Sequence, residues 1–399
     1  MAAVLKHWRE ASTLILVTAR RPGTTVKPNF VSASDSGCRA SAVKGANFEV
    51  LLLKRSSKSK FMPNLYVFPG GVASDIDFSS EWIAVFDLLG KDQRQQVFDF
   101  VQRGGQGAPM FSRPRDKQFS HIPSEVAFRI TAIRETFEES GVLLVRRAKK
   151  GDNFWPHLWD GPNLADYCQL DETVINEWRE RVDRDPADFL RMCQELQLVP
   201  DVWSLYEWSN WLTPLMTKHR FDTAFFICCV DGKPHVAEDE GETVHSQWSS
   251  PYDVLALCNE AQIAVPQQYE LSRLLHFDTA PELTHFAWQR AQHRVERWLA
   301  VRVACADAVL SVLPGDSLYP ERINPEGPPP DITYEETVAS LMVSHPNTNR
   351  SQFFMDRRRA DGGLLAQVVC NIRQPGGHVS PVPTDTFTAL LHGQPQPKL

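Results

Sequence analysis

The sequence lacks the marks of three large classes of protein. Its eight cysteines (Cys38, Cys168, Cys193, Cys228, Cys229, Cys258, Cys305 and Cys370) are scattered, with no CxxC pair. Zinc ribbons and disulfide frameworks need tighter or regular spacing, so reduced, mostly buried thiols and an intracellular compartment are expected. No run approaches the ~18–20 apolar residues that cross a bilayer. There is no basic excess either: 42 Lys and Arg stand against 49 Asp and Glu, a net charge of −7. Sequence-independent nucleic-acid binding needs a broad basic surface, and that composition argues against one. A small anionic substrate met by local Lys and Arg remains compatible with it. No internal repeat is visible. The opening "MAAVLKHWREASTLILVTARR" has the outline of a signal peptide. Its apolar run is short and follows Glu10, so it reads as a first core strand. The "NRS" sequon at Asn349 is then a chance match, since glycosylation requires secretion.

What is present is an ordinary globular composition, 42% hydrophobic and 23% charged over 399 residues. That length allows two or three domains, or one core with long insertions. Residues 11–19 and 47–54 read as strands, and "TAFFICCV" (223–230) as a central buried strand. A Pro- and Gly-punctuated turn, "MPNLYVFPGG", occupies 62–71. Residues 72–122 look irregular or weakly helical and read as an insertion. Residues 145–200 read as a second one, with helices in "ETVINEWRERV" and "PADFLRMCQELQL". Helical patterns recur over 268–311, and a Pro-rich polar tail follows, with a hairpin expected at Asp361-Gly362-Gly363. The expected partition is a core domain at 10–265, a helical extension at 266–320 and a tail at 321–399.

The stretch "TAIRETFEESGVLL" (131–144) carries the chemistry. A helix beginning after Pro123, with Ser124 as N-cap, places Ile130, Ile133 and Phe137 on one stripe. Glu135, Glu138 and Glu139 then share another face. Like charges at such spacing destabilise an isolated helix, so a positive partner is expected in front of them. Hard divalent cations such as Mg²⁺ take oxygen ligands and keep several waters for phosphate oxygens. Arg134 can anchor the cluster, and Gly141 allows the backbone to reverse after it. The plain alternative is a solvated acidic face.

"RETFEESGV" (134–142) resembles the second half of the Nudix box, G-x5-E-x7-R-E-U-x-E-E-x-G-U with U apolar, departing only at Thr136. "FPGG" (68–71) resembles its opening glycine turn. Arg134 lies 63 residues after Gly71 rather than 14, so the box is read as split by 63 − 14 = 49 inserted residues. Counted eight back from Arg134, the first box Glu falls on Val126, and the nearest acid is Glu125. Upstream, "LLLKRSSKSKFMPNLYVFPGG" (51–71) is similar to the L-L-T-x-R-S-x3-R-x3-G-x3-F-P-G-G segment of Nudix coenzyme A diphosphatases, with every interval preserved. Leu53 replaces Thr, Lys60 replaces Arg, and Asn64 stands at a Gly position where positive φ is tolerated.

With "NWLTP" (210–214) and "RFDTAFF" (220–226), the chain resembles the peroxisomal acyl-coenzyme A diphosphatases of the Nudix superfamily. The resemblance implies an α/β Nudix fold, a mixed sheet sandwiched between helices, with two insertions and a C-terminal helical extension. It implies hydrolysis of the diphosphate in coenzyme A and its thioesters. Glu135, Glu138 and Glu139 would hold Mg²⁺ or Mn²⁺. Glu242, six residues before Trp248, would join them as a catalytic carboxylate, with Glu238, Asp239 and Glu240 as rivals. Arg55, Lys58, Lys60, Gly70 and Gly71 would meet substrate. Other readings are cleavage of NADH, ADP-ribose or capped RNA, or a silent Nudix adaptor. The C-terminal Pro397-Lys398-Leu399 differs from the S-K-L address at one residue, which implies a peroxisomal import receptor as partner, with the cytosol and mitochondria as alternatives. Deleting Lys398 and Leu399 is expected to move the protein from peroxisomes to cytosol without changing activity in vitro. An unchanged distribution in fluorescence imaging would show that this C-terminus is not read.

Overall fold

The computed structural model describes residues 8–20, 46–59, 62–102, 107–148, 158–237, 243–256, 263–293, 295–325, 327–358 and 362–391. The apolar run after Glu10 is strand β1 (Arg9–Ala19), buried from Ala11 to Thr18. Strand β2 (Phe48–Arg55) is buried from Phe48 to Leu53. A turn follows in which Asn64 takes a φ of 62°, as expected for a Gly position. It leads into β3 (Tyr66–Val67) and β4 (Gly70–Val72).

The chain then leaves the core. Helices α1 (Trp82–Phe86) and α2 (Lys91–Val101) form the first insertion with several 3-10 turns. It returns at α3 (Ser124–Ser140), where Pro123 takes the capping position. Ser124 is therefore the first helical residue rather than the cap, and its hydroxyl accepts from Arg115 Nε at 3.0 Å. Beyond α3 comes β5 (Val145–Arg147), then α4 (Glu172–Arg184), α5 (Ala187–Glu195) and β6 (Leu198–Pro200). Strands β5 and β6 pair antiparallel, which closes the second insertion at its base.

Both insertions are packed into the molecule. Trp82 is fully buried and meets Phe189 of α5 at 6.0 Å between ring centroids, while Phe137 of α3 meets the same ring at 6.2 Å. Arg113 and Arg115 bind Glu10 of β1 at 2.8 and 2.9 Å, and Arg113 also pairs with buried Asp222.

Strands β7 (Tyr206–Leu212), β8 (Phe221–Val230) and β9 (Thr243–Ser249) complete most of the main sheet. Helices α6 (Pro251–Ala256), α7 (Val265–Leu274) and α8 (Ala280–Arg290) precede β10 (Arg297–Leu299). Among the described residues the sheet runs β10-β7-β8-β1-β2-β3, with β4 also on β1 and β9 also on β2. The apolar strand β8 is central: it runs parallel to β1 from Arg9↔Phe221 to Thr18↔Val230 and antiparallel to β7. Its alternation serves two layers. Phe226 faces Arg129 of α3 at 4.8 Å, while the Cys229 thiol lies 3.9 Å from the Ala280 carbonyl of α8 on the opposite face. The sheet is thus sandwiched between helices, as expected.

The helical pattern over 268–311 is only half realised. Helix ends at Arg290, and β10 is followed by β11 (Val301–Ala304) and β12 (Ala308–Val312). In "VRVA" and "AVLSV" the side chains alternate between buried and less buried, a period of two that wins over the helical reading. These strands belong to a second sheet, β13-β11-β12-β14-β15, with β13 (Ile332–Thr333), β14 (Asn349–Arg358) and β15 (Leu364–Cys370). Helix α9 (Val338–Ser344) covers it through Val338 and Leu341. The expected hairpin exists as the β14–β15 pair. Gly362 has a φ of 82°, while Asp361 lies outside the described residues.

The C-terminal segment straps back onto the core, and α10 (Thr384–Leu391) brings Phe387 against Tyr252 at 5.0 Å. Beneath the strap, Glu270 of α7 is fully buried and accepts from Trp208 Nε1, Ser209 Oγ and Trp211 Nε1 at 2.7–2.8 Å. Arg273 pairs with the same carboxylate at 3.1 Å. His378 sits on this network, 4.4 Å from the Trp208 ring and 5.9 Å from Phe286. Burial, then Arg273 and Arg290, hold its imidazole well below the ordinary 6.5. The unfolded chain therefore takes up this proton first. The stability that His378 contributes is complete above about pH 6.5 and is lost as pH falls below it, with a slope of up to ~1.4 kcal/mol per pH unit. Urea unfolding between pH 7 and pH 5 is expected to show a shallower pH dependence for His378→Phe than for the parent, and parallel curves would contradict this.

Candidate active site

Helix α3 forms because its apolar stripe has a core to meet: Ile130, Ile133 and Phe137 are fully buried. Thr136, the odd residue in that stripe, is also buried, with its hydroxyl donating to the Ala132 carbonyl at 2.7 Å. Gly141 ends the helix in the left-handed conformation, φ 74°, and its N–H returns to Phe137 O at 2.8 Å.

The positive partner of two of the three carboxylates, Glu135 and Glu138, is Arg134, which is 1% exposed. Its Nε and Nη2 donate to the two oxygens of Asp77, both at 2.9 Å, and Nη2 also reaches Val72 O at 3.0 Å. Nη1 donates to Glu135 Oε1 at 2.9 Å and Glu138 Oε1 at 2.7 Å. Asp77 is itself fully buried and accepts from Thr131 Oγ1 and the Ser74 N–H, both at 2.9 Å. Burial pushes the Glu138 carboxyl up to about 8, with Arg134 opposing and Glu135 adding to the rise.

The glycine turn lies directly against these groups. Gly70 N–H donates to Glu139 Oε2 at 2.8 Å. A Cβ on Gly71 would stand 2.2 Å from Glu135 Oε2, so only glycine leaves that carboxylate its place. Arg55, at the end of β2, approaches Glu139 Oε1 at 3.9 Å, and its Nε and Nη2 donate to Ser59 Oγ at 3.0 and 2.9 Å. Among the described residues no group of three or more His, Cys, Asp or Glu side chains is arranged so that all could hold one metal ion. The donor set nonetheless fits a hard divalent ion that keeps water and phosphate in most of its shell, because such an ion asks for only one or two carboxylates.

The sequence pattern of the NUDT19 Nudix domain matches residues 8–274, and that of the NUDT19 C-terminal domain matches residues 302–359. The chain is 41% identical to acyl-coenzyme A diphosphatase NUDT19 of Xenopus laevis, over 84% of this chain and 85% of that one. The proteins of the same name from Gallus gallus and Homo sapiens are 40% and 38% identical, covering 84% and 79% of this chain and 84% and 81% of their own. The chain belongs to the NUDT19 family of Nudix hydrolases.

The Nudix box explains the role of Asp77. Counted forward from Gly71, the first acid of the box falls at 71 + 6 = 77, and Asp77 is the residue bound to Arg134. In an unbroken box those two positions are eight apart; here they are 57 apart, so all 57 − 8 = 49 extra residues lie between them. Glu125 is not the substitute. It sits in the first turn of α3, 135 − 125 = 10 residues before Glu135, about 15 Å along the helix. Counting back from Arg134 crosses the insertion and misses Asp77; counting forward from the glycine turn finds it.

Of the other expected site residues, Lys58 is exposed in the turn after β2. Lys60, Glu238, Asp239, Glu240, Glu242 and Pro397-Lys398-Leu399 lie outside the described residues. Helix α3 thus brings Glu135, Glu138 and Glu139 together with Arg55, Gly70 and Gly71.

The two glycines make different demands. A Cβ on Gly71 meets the far end of the Glu135 side chain. One on Gly70, at φ 153°, meets the Ser12 carbonyl of β1 at 2.3 Å. Gly71→Ala is expected to lower kcat on the order of a hundredfold, by displacing a carboxylate, with melting nearly unchanged. Gly70→Ala is expected to cost about 1–3 kcal/mol of stability through backbone strain. Melting curves and turnover measured on both variants check this, and equal behaviour of the pair would contradict it.

Proposed function

We propose that this protein hydrolyses the diphosphate linkage of coenzyme A and acyl-coenzyme A, using Mg²⁺ or Mn²⁺, to give 3′,5′-ADP and (acyl) 4′-phosphopantetheine. The observation that carries the proposal is the position of Arg55. It opens the basic part of the coenzyme A-type segment and stands beside Glu139, where the diphosphate would meet the carboxylates. The names of the relatives, acyl-coenzyme A diphosphatase, point to the same substrate.

Glu135, Glu138 and Glu139 would hold the divalent ion, which when bound neutralises diphosphate charge and lowers the pKa of the attacking water. Phosphoryl chemistry depends chiefly on positioning and charge stabilisation, and the chain's own groups supply much of both. Arg134 keeps Glu135 and Glu138 in register, the Gly70 N–H orients Glu139, and Arg55 offers a planar cationic fork to phosphate. A carboxylate beside the attacking water, Glu242 or one of the three, takes its proton. The C-terminal Pro397-Lys398-Leu399 supports peroxisomal residence through an import receptor as part of the same proposal. Among the described residues no helix is long and apolar enough to cross a membrane.

Assays of coenzyme A beside NADH, ADP-ribose and capped RNA, with Mg²⁺ and with EDTA, separate this activity from other Nudix reactions and from a silent adaptor. The sharper test uses the 3′-phosphate, which most Nudix substrates lack. Arg55→Ala loses a hydrogen bond to a charged phosphate worth ~1.5–3 kcal/mol, about tenfold or more in kcat/KM. With Arg55 at the diphosphate, beside Glu139, the loss is expected to be equal on coenzyme A and 3′-dephospho-coenzyme A. A loss confined to coenzyme A would assign Arg55 to the 3′-phosphate instead, and no loss on either would remove it from the substrate site.

A further inference from the structure

The second insertion sends one side chain into the far end of the carboxylate helix. Arg179 of α4 lies 41 residues beyond Glu138 in the chain, and its Nη2 donates to the Glu138 main-chain carbonyl at 2.9 Å. It is 8% exposed. Its guanidinium also lies against the helix-ending glycine, with Nη1 3.5 Å from the point where a Gly141 Cβ would stand. Carbonyls in the last turn of a helix lack intrahelical partners, and a cation there also meets the negative end of the helix dipole. The flanks of Arg179 on α4 are anchored by burial: Trp178 is 6% exposed and Val182 is fully buried. The other strand of chain at this helix end is the segment after β8, whose Ala237 N–H donates to Ser140 O at 3.0 Å.

That last turn carries two of the three carboxylates. Glu138 is drawn toward Arg134 at one side and Glu139 toward the Gly70 N–H at the other. Helix ends fray by a residue or two, and a rotation of this turn would carry both glutamates away from those partners together. Arg179 opposes that rotation from outside the box.

We propose that Arg179 is a positioning residue for the cation site, fixing the last turn of α3 so that Glu138 and Glu139 meet a divalent ion with their geometry already set. The proposal rests on the reading of the three glutamates as cation ligands. Arg179 acts on the carboxylate turn, so the expected effect falls on the cation rather than on the affinity for substrate once the cation is saturating.

The test is Mn²⁺ binding to the full-length protein by calorimetry, without substrate, for the parent, Arg179→Ala, Arg179→Gln, Arg179→Lys, Arg181→Ala and Glu139→Gln. Groups that orient metal ligands are typically worth 10–100-fold in affinity. Arg179→Ala is therefore expected to weaken Mn²⁺ about tenfold. Arg179→Lys recovers part of this, since an ammonium restores the charge and one bond but not the planar fork. Arg181→Ala, on the same helix, keeps the parent affinity. In turnover, the Mn²⁺ concentration for half-activation rises by the same factor in Arg179→Ala, while KM for coenzyme A at saturating Mn²⁺ stays put. If Arg179→Ala does not fold, the Gln and Lys variants carry the comparison. Parent-like Mn²⁺ affinity in the Arg179 variants would overturn the proposal. So would an equal loss in Arg181→Ala, which would mean general loosening of α4. Undiminished Mn²⁺ binding in Glu139→Gln would instead sink the carboxylate reading itself.

Discussion

The guanidinium of Arg134 is the constraint on which the site depends. A helix face with three glutamates within five residues repels itself, and in isolation that spacing is destabilising. Arg134 turns the repulsion to use by spending every face of one planar group. One edge grips Asp77, one nitrogen also holds the Val72 carbonyl in the glycine turn, and the third reaches Glu135 and Glu138. A lysine has the charge but not the five donors in a fixed fork, so it could not reproduce this arrangement. Buried pairs of this kind cost desolvation, and Thr131 and the Ser74 N–H offset part of that cost by satisfying the remaining capacity of Asp77. What results is a surface that holds the Glu135 and Glu138 carboxyl groups in place beside the glycine turn.

The same bond explains how a box can be split and stay whole. Closing a longer loop costs entropy only logarithmically, so 49 added residues between Asp77 and Arg134 are a modest burden once both ends are held. They are held firmly. The first insertion is riveted by Arg113 and Arg115 to Glu10 and Asp222, and its Trp82 is buried against the second insertion. The excursions cover α3 on the side away from the sheet, giving the carboxylate helix neighbours on both faces.

Much of this was legible in the order of residues. The apolar run of β8 announced a central strand, "RETFEE" announced a charged helix face, and Asn64 announced its positive φ. Other features were hidden for physical reasons. Asp77 could be found only by counting from the correct side of the insertion. Arg179 could not be found at all, because nothing in "INEWRERV" distinguishes an arginine that faces solvent from one that reaches across to another helix. Over residues 297–311 a helical period competes with a strand period, because short strands joined by brief turns place valines and alanines at intervals that satisfy both. The burial of Val301 and Val303 around exposed Arg302 decides between them only once the sheet is present.

The pairing of β1 with β8 has a consequence for biosynthesis. Arg9 lies opposite Phe221, so the first strand made must wait for 221 − 9 = 212 further residues before its parallel neighbour exists. At about 5–20 residues per second on the ribosome, that is roughly 10–40 s. During that interval β1 can meet β2, β4 and α3, but the edge that β8 will cover stays open. Until β8 emerges, the nascent chain therefore carries an open apolar strand edge, the kind of surface that invites mispairing.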